Sequence, residues 1–169
     1  MKRQVGLIIF VLIVGAFFMA ENALAQIKCK TVEVHMSNYW EFAGLEDCGL
    51  LGYCGEGRLI GTFNGQLFVS GLESDFRYPY GESHSQVYKG QATIETMHGE
   101  IFTTTMGVNY WQTFWSGGVA TNSESQAVTG GTGRYEGASG YILMDYEYTP
   151  PEWFPATGQM TGQVCWPGE

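Results

Sequence analysis

Residues 88–108 read Tyr-Lys-Gly-Gln-Ala-Thr-Ile-Glu-Thr-Met-His-Gly-Glu-Ile-Phe-Thr-Thr-Thr-Met-Gly-Val. Two runs of period-two alternation flank His98-Gly99. In the first, Tyr88, Ala92 and Ile94 alternate with Lys89, Gln91, Thr93 and Glu95. In the second, Phe102, Thr104, Met106 and Val108 lie opposite Ile101, Thr103 and Thr105. Such alternation is the pattern of half-buried strands, and a His-Gly pair between two of them reads as a hairpin turn. Taking the more apolar face of each run as the inner one places Tyr88, Phe102 and Met106 inside.

The same pattern extends in both directions. Val32, Val34 and Met36 alternate with Glu33 and His35; Leu59, Phe63, Leu67 and Val69 follow. The aromatic run Tyr110 to Trp115 comes next, then a strand over 123–129. Ile142, Met144, Tyr146 and Tyr148 alternate with Asp145 and Glu147, and Met160 and Val164 close the series. About eight to ten short strands broken by Gly, Asn and Ser predict an all-β sandwich or barrel. Segment 38–57, with Tyr39, Trp40 and two cysteines, reads as a long ordered loop.

The start of the chain reads as a secretory signal peptide over 1–25. Lys2 and Arg3 precede an uncharged apolar run, and Ala23-Leu24-Ala25 supplies the small-x-small cleavage pattern. The run is about 16 residues, short of the roughly 20 that span a bilayer. Residues 26–169 then form a single domain, secreted or periplasmic, with no stable membrane insertion after cleavage. The sequence carries a net charge of −9. Loss of Lys2, Arg3 and Glu21 makes the remainder one unit more acidic. That balance leaves no electrostatic footprint for nucleic acid.

Four cysteines follow the leader: Cys29, Cys48, Cys54 and Cys165. An even count in an exported chain argues for two disulfides. Three connectivities are open. We favour Cys48–Cys54 as a loop staple and Cys29–Cys165 as a tie between the first and last strands. Cys-x-x-Cys is absent and His35, His84 and His98 lack ligand spacing, so neither a metal site nor a cofactor is expected.

Residues 127–140 read Ala-Val-Thr-Gly-Gly-Thr-Gly-Arg-Tyr-Glu-Gly-Ala-Ser-Gly. This stretch resembles the glycine-rich turn of the allene oxide cyclase-like barrels, which include the dirigent proteins. The matching residues are Val128, Gly130, Gly131, Gly133, Tyr135, Gly137, Ala138 and Gly140. The resemblance implies an eight-stranded antiparallel barrel with an apolar interior, relatives that are often trimers, and cofactor-free work on hydrophobic small molecules. It carries over no catalytic residue. Turn chemistry alone also explains the glycines, with positive φ expected at Gly131 and Gly133.

On the faces taken as inner, residues 32–36, 88–96, 102–108 and 142–148 bring no carboxylate or His inside. Glu33, His35, Glu95, Asp145 and Glu147 fall on the wetter faces. His98 reads as a turn residue. The expected function is therefore binding of an apolar or aromatic small molecule by Tyr88, Phe102, Met106, Trp111, Trp115 and Tyr146. A cofactor-free isomerase or cyclase is the alternative, and a filled structural or protein-interaction barrel the third reading. If the disulfide reading is right, alkylation of the unreduced, denatured protein labels none of the four cysteines; substantial labelling of any one defeats it.

Overall fold

The computed structural model describes residues 27–43, 48, 53–77, 85–110, 120–148 and 155–168. Residues 1–25, read as a signal peptide, and Trp111 and Trp115 lie outside them. Eight strands follow one another: β1 (Ile27–Ala43), β2 (Tyr53–Gly61), β3 (Gly65–Arg77), β4 (Ser85–Thr96), β5 (Gly99–Tyr110), β6 (Ala120–Gly131), β7 (Ser139–Tyr148) and β8 (Ala156–Pro167). Each pairs antiparallel with its sequence neighbours, and β8 pairs with β1, so the sheet closes into a barrel. A 3-10 turn, Gly133–Tyr135, lies between β6 and β7. The sandwich alternative is thereby excluded, because closure leaves no sheet edge.

Both favoured disulfides are present, Cys29–Cys165 and Cys48–Cys54. Cys29 and Cys165 stand directly opposite each other in the β1–β8 ladder. Two disulfides fit an extracellular or periplasmic protein.

The segment read as a loop over 38–57 is instead largely strand, since β1 runs to Ala43 and β2 begins at Tyr53. A β-bulge between Ser37 and Trp40 hides this from the sequence. Before it, Val32, Val34 and Met36 face inward; after it, Tyr39 does, and Trp40 turns outward. An extra residue in one strand shifts the phase of everything beyond it.

The two ends of the barrel differ. At one, the turns are short (62–64, 97–98 and 132–138), and the Cys29–Cys165 bond joins the first and last strands. Buried Phe63, Tyr135 and Trp166 fill this end. Tyr135 meets Phe63 and Trp166 edge-on at centroid distances of 5.9 and 5.4 Å, and the Arg134 guanidinium lies 5.5 Å from the Trp166 ring. Edge-to-face rings and a cation over indole are both attractive. At the other end the strands are joined by the longer connections 44–52, 78–84, 111–119 and 149–155.

The glycine-rich turn docks on the neighbouring hairpin. The backbone N–H of Thr132 donates to Glu100 O at 2.9 Å and that of Arg134 to His98 O at 2.9 Å. His98 is thus a turn residue, with its side chain exposed. Gly133, Gly137 and Gly140 have φ of +57°, +71° and +134°. Gly131 does not share the expected positive φ; close approach is what requires glycine there. A Cβ on Gly131 would fall against Glu100 O and 2.7 Å from Tyr135 O, and one on Gly133 would fall 2.6 Å from His98 O.

Gly131→Val and Gly133→Val should each destabilise the barrel by about 2 kcal/mol or more, from crowding at the first and from strain plus crowding at the second. Ser139→Val, exposed at the start of β7, should change stability little. Thermal melts followed by circular dichroism decide, and glycine variants that melt like the parent would refute the docking account.

Candidate functional site: a buried carboxyl in the barrel wall

Directly paired residues on neighbouring strands point to the same side of a sheet. Across the two-residue turn at Met97 and His98, Tyr88 pairs with Gly107, Ala92 with Thr103 and Ile94 with Ile101. The inward face of β5 is therefore Ile101, Thr103, Thr105, Gly107 and Asn109, all buried. This corrects the placement of Phe102 and Met106. They lie on the outer face, 36% and 54% exposed, and belong to no interior site. Apolarity misled here because β5 carries threonines inward and its larger apolar side chains outward.

The β5–β6 register carries the phase on. Thr105 pairs with Gln126, Gly107 with Glu124 and Asn109 with Asn122. Along β6 the inward residues are Ala120, Asn122, Glu124, Gln126 and Val128. A carboxyl thus faces the interior after all, contrary to the expectation from the other strands. Glu124 is 3% exposed.

Around Glu124 the polar side chains form one network. Tyr88 Oη donates to Glu124 Oε2 at 2.5 Å. Gln126 Nε2 donates to Glu124 Oε1 at 2.6 Å, and Thr103 Oγ1 to Gln126 Oε1 at 3.2 Å. Asn122 Nδ2 donates to Tyr88 Oη at 3.0 Å and also to Asn109 Oδ1. The Tyr88 ring lies over Gly107, filling the space a side chain would take. A buried polar group without partners would cost ~1–3 kcal/mol, so a network of this kind holds its members in one arrangement.

Burial pushes the Glu124 carboxyl above its ordinary value of 4.5, against the opposing pull of its hydrogen bonds from Tyr88 and Gln126. Desolvation disfavours the charged form and here outweighs those bonds. Burial, then the neighbouring Glu124 charge, likewise raises the Tyr88 phenol. Both groups are thus biased to their neutral forms. The same heavy atoms accept either proton order. In one, Tyr88 donates to the carboxylate. In the other, the carboxylic acid donates to Tyr88, whose own proton turns to Asn122 Oδ1 at 3.2 Å.

The other side of the interior is apolar. Val32, Val34 and Met36 of β1, Leu59 of β2, Ile142 and Met144 of β7 and Met160 of β8 are all buried. Toward the end with the long connections the lining becomes aromatic. Tyr146 lies between Tyr39 and Tyr148, tilted against the first and edge-on to the second, with centroids 4.9 and 5.4 Å away. Of the expected ligand-binding residues, Tyr88 and Tyr146 face inward, Phe102 and Met106 do not, and Trp111 and Trp115 lie outside the described residues. Among the described residues no group of three or more His, Cys, Asp or Glu could hold a metal ion.

The raised carboxyl has a definite sign in stability. Above pH 4.5 the unfolded chain releases the Glu124 proton while the folded barrel retains it. Stability should therefore fall as pH rises through that window, and the contribution is complete below it. Glu124→Gln keeps an amide in the network but cannot titrate. Its melting temperature should gain on the parent's as pH increases above 4.5; parallel curves would mean that Glu124 is ionised in the fold. Compared with family models, with curated proteins and with solved structures, the chain matches none of the three.

Proposed function

We propose that the barrel is an exported protein that binds an apolar or aromatic small molecule in its interior and hydrogen-bonds one oxygen of it at Tyr88 and Glu124. The observation that carries this reading is the division of the interior. Hydrogen-bonding groups gather on β4, β5 and β6, apolar and aromatic ones on the remaining strands, and the polar group lies toward the end served by the long connections. An apolar pocket with a few convergent polar groups is the usual make-up of a small-molecule site, and barrel mouths are a usual place for one. Two disulfides support an oxidising destination, in keeping with the signal peptide read over residues 1–25. Kinship with the allene oxide cyclase-like barrels is part of the proposal; the closed eight-stranded sheet and the docked glycine turn support it.

One observation favours a second reading, a cofactor-free isomerase. The 2.5 Å contact between a fully buried carboxyl and a phenol, each biased to its neutral form, is a proton donor pair suited to a substrate carbonyl. A protonated acid in an apolar site can donate to a developing oxyanion and recover the proton afterwards.

Native mass spectrometry of protein purified from its own source should show a bound small molecule. With that compound, or with hits from a panel of apolar carbonyl compounds, tryptophan fluorescence should change. Tyr88→Phe should weaken binding by about tenfold, the worth of one hydrogen bond in a buried site. Trp111→Leu should lower affinity without lowering the melting temperature. Absence of any adduct, together with a panel that leaves the fluorescence unchanged, overturns the binding reading. Conversion of a bound compound that Glu124→Gln abolishes would favour the isomerase.

A further inference from the structure

The β1 bulge does more than restore Tyr39 to the core. Asn38 has φ +52°, the one non-glycine residue with positive φ among those described. Asparagine tolerates that conformation better than most residues, and such backbone collects at functional positions. Beyond it Trp40 emerges on the outer wall, 42% exposed. In the adjoining strand Glu56 pairs with Trp40 and Arg58 with Ser37, and Arg58 in turn pairs with Gln66 of β3. Asn38, Trp40, Glu56, Gly57, Arg58 and Gln66 line a groove of about 230 Å³. A second groove, of about 510 Å³, shares Arg58 and Gln66 and continues toward Asn64.

We propose that this outer groove binds a neutral glycan, one pyranose ring lying against Trp40 and the next residue of the chain extending past Arg58. A sugar ring presents C–H bonds on its faces and hydroxyls around its edge. A flat indole meets the first, and planar polar groups that bind two neighbouring oxygens meet the second. Trp40 supplies the ring; Asn38 and Gln66 supply amides, Arg58 a fork of donors and Glu56 a pair of acceptors. These four polar side chains are all exposed and line the same groove as Trp40. A peptide fits less well. The barrel has no free edge to which a strand could add, and apart from Trp40 the first groove is lined by polar side chains and Gly57; the apolar Leu59 and Ile60 lie only in the second. The proposal is independent of the interior site, on the other side of the wall.

The test applies the protein with both disulfides formed to an array of neutral glycans, followed by titration with the free oligosaccharides that bind. Binding is expected, with Trp40→Ala weakening it about tenfold or more and Trp40→Phe within about threefold of the parent, as for an aromatic anchor. Arg58→Met should weaken it several-fold while leaving the melting temperature within a few degrees. If Trp40→Ala does not fold, Arg58→Met and Trp40→Phe carry the decision. An array without hits overturns the proposal. So does binding that Trp40→Ala and Arg58→Met leave unchanged, and so does selective capture of peptides in place of sugars.

Discussion

The two-residue turn at Met97 and His98 sets which side of the β4–β5 hairpin faces inward, and the remaining walls inherit that choice. In a closed sheet the phase passes from strand to strand through the register, and the last strand must agree with the first. Wherever simple pairing would break that agreement, an extra residue repairs it. The irregularity between Phe102 and Thr103 shifts β6 by one, and that between Ser37 and Trp40 does the same in β1. The inward position of Glu124 follows from this chain of registers and from nothing in its own chemistry. A carboxyl has every reason to prefer water. It is held inside because its neighbours along β6, Asn122 and Gln126, are also inside, and together with Tyr88 they satisfy it.

That arrangement gives the barrel an interior of two characters. Near the short turns the filling is aliphatic and aromatic, with Ile94, Ile101 and Val164 fully buried beneath Phe63, Tyr135 and Trp166. Higher up, β4 to β6 contribute hydroxyls, amides and an acid, while β1 and β7 contribute tyrosine rings. A polar network of this kind adds less stability than a well-packed apolar core of the same volume, and it demands that every member keep its partner. It stands on the half of β4 to β6 that leads to the long connections.

Much of the architecture was legible from alternation alone. β4 and β7 show it plainly, because large apolar side chains face inward and charged ones outward. The pairing of the cysteines was legible for the same reason: Cys29 stands in the first strand and Cys165 in the last, and closure brings those strands together. β5 and β6 were not legible by polarity. Their inner faces carry threonine, asparagine, glutamate and glutamine, while Phe102 and Met106 look outward, so a hydrophobic ranking of the two faces points the wrong way. Counting residues across the turn would have corrected it, since a two-residue loop pairs even positions of β4 with odd positions of β5. The continuation of β1 past Asn38 was hidden by a single bulged residue that interrupts a regular pattern. The polar cluster was therefore missed for a topological reason, not a chemical one.

The Cys29–Cys165 bond spans 136 residues of sequence, and β2 to β7 lie wholly between its two ends. A chain synthesised N-terminus first presents β1 long before β8. Until the last strand arrives, one flank of β1 is an unpaired edge, open to pairing with another copy or with a chaperone. The seven other pairings can form in order as each hairpin emerges, because each joins sequence neighbours. Closure alone must await the end of the chain. Oxidation of this one pair thus makes covalent the closure that the β1–β8 ladder completes, and ties the ends of the sheet so that it cannot reopen along that seam.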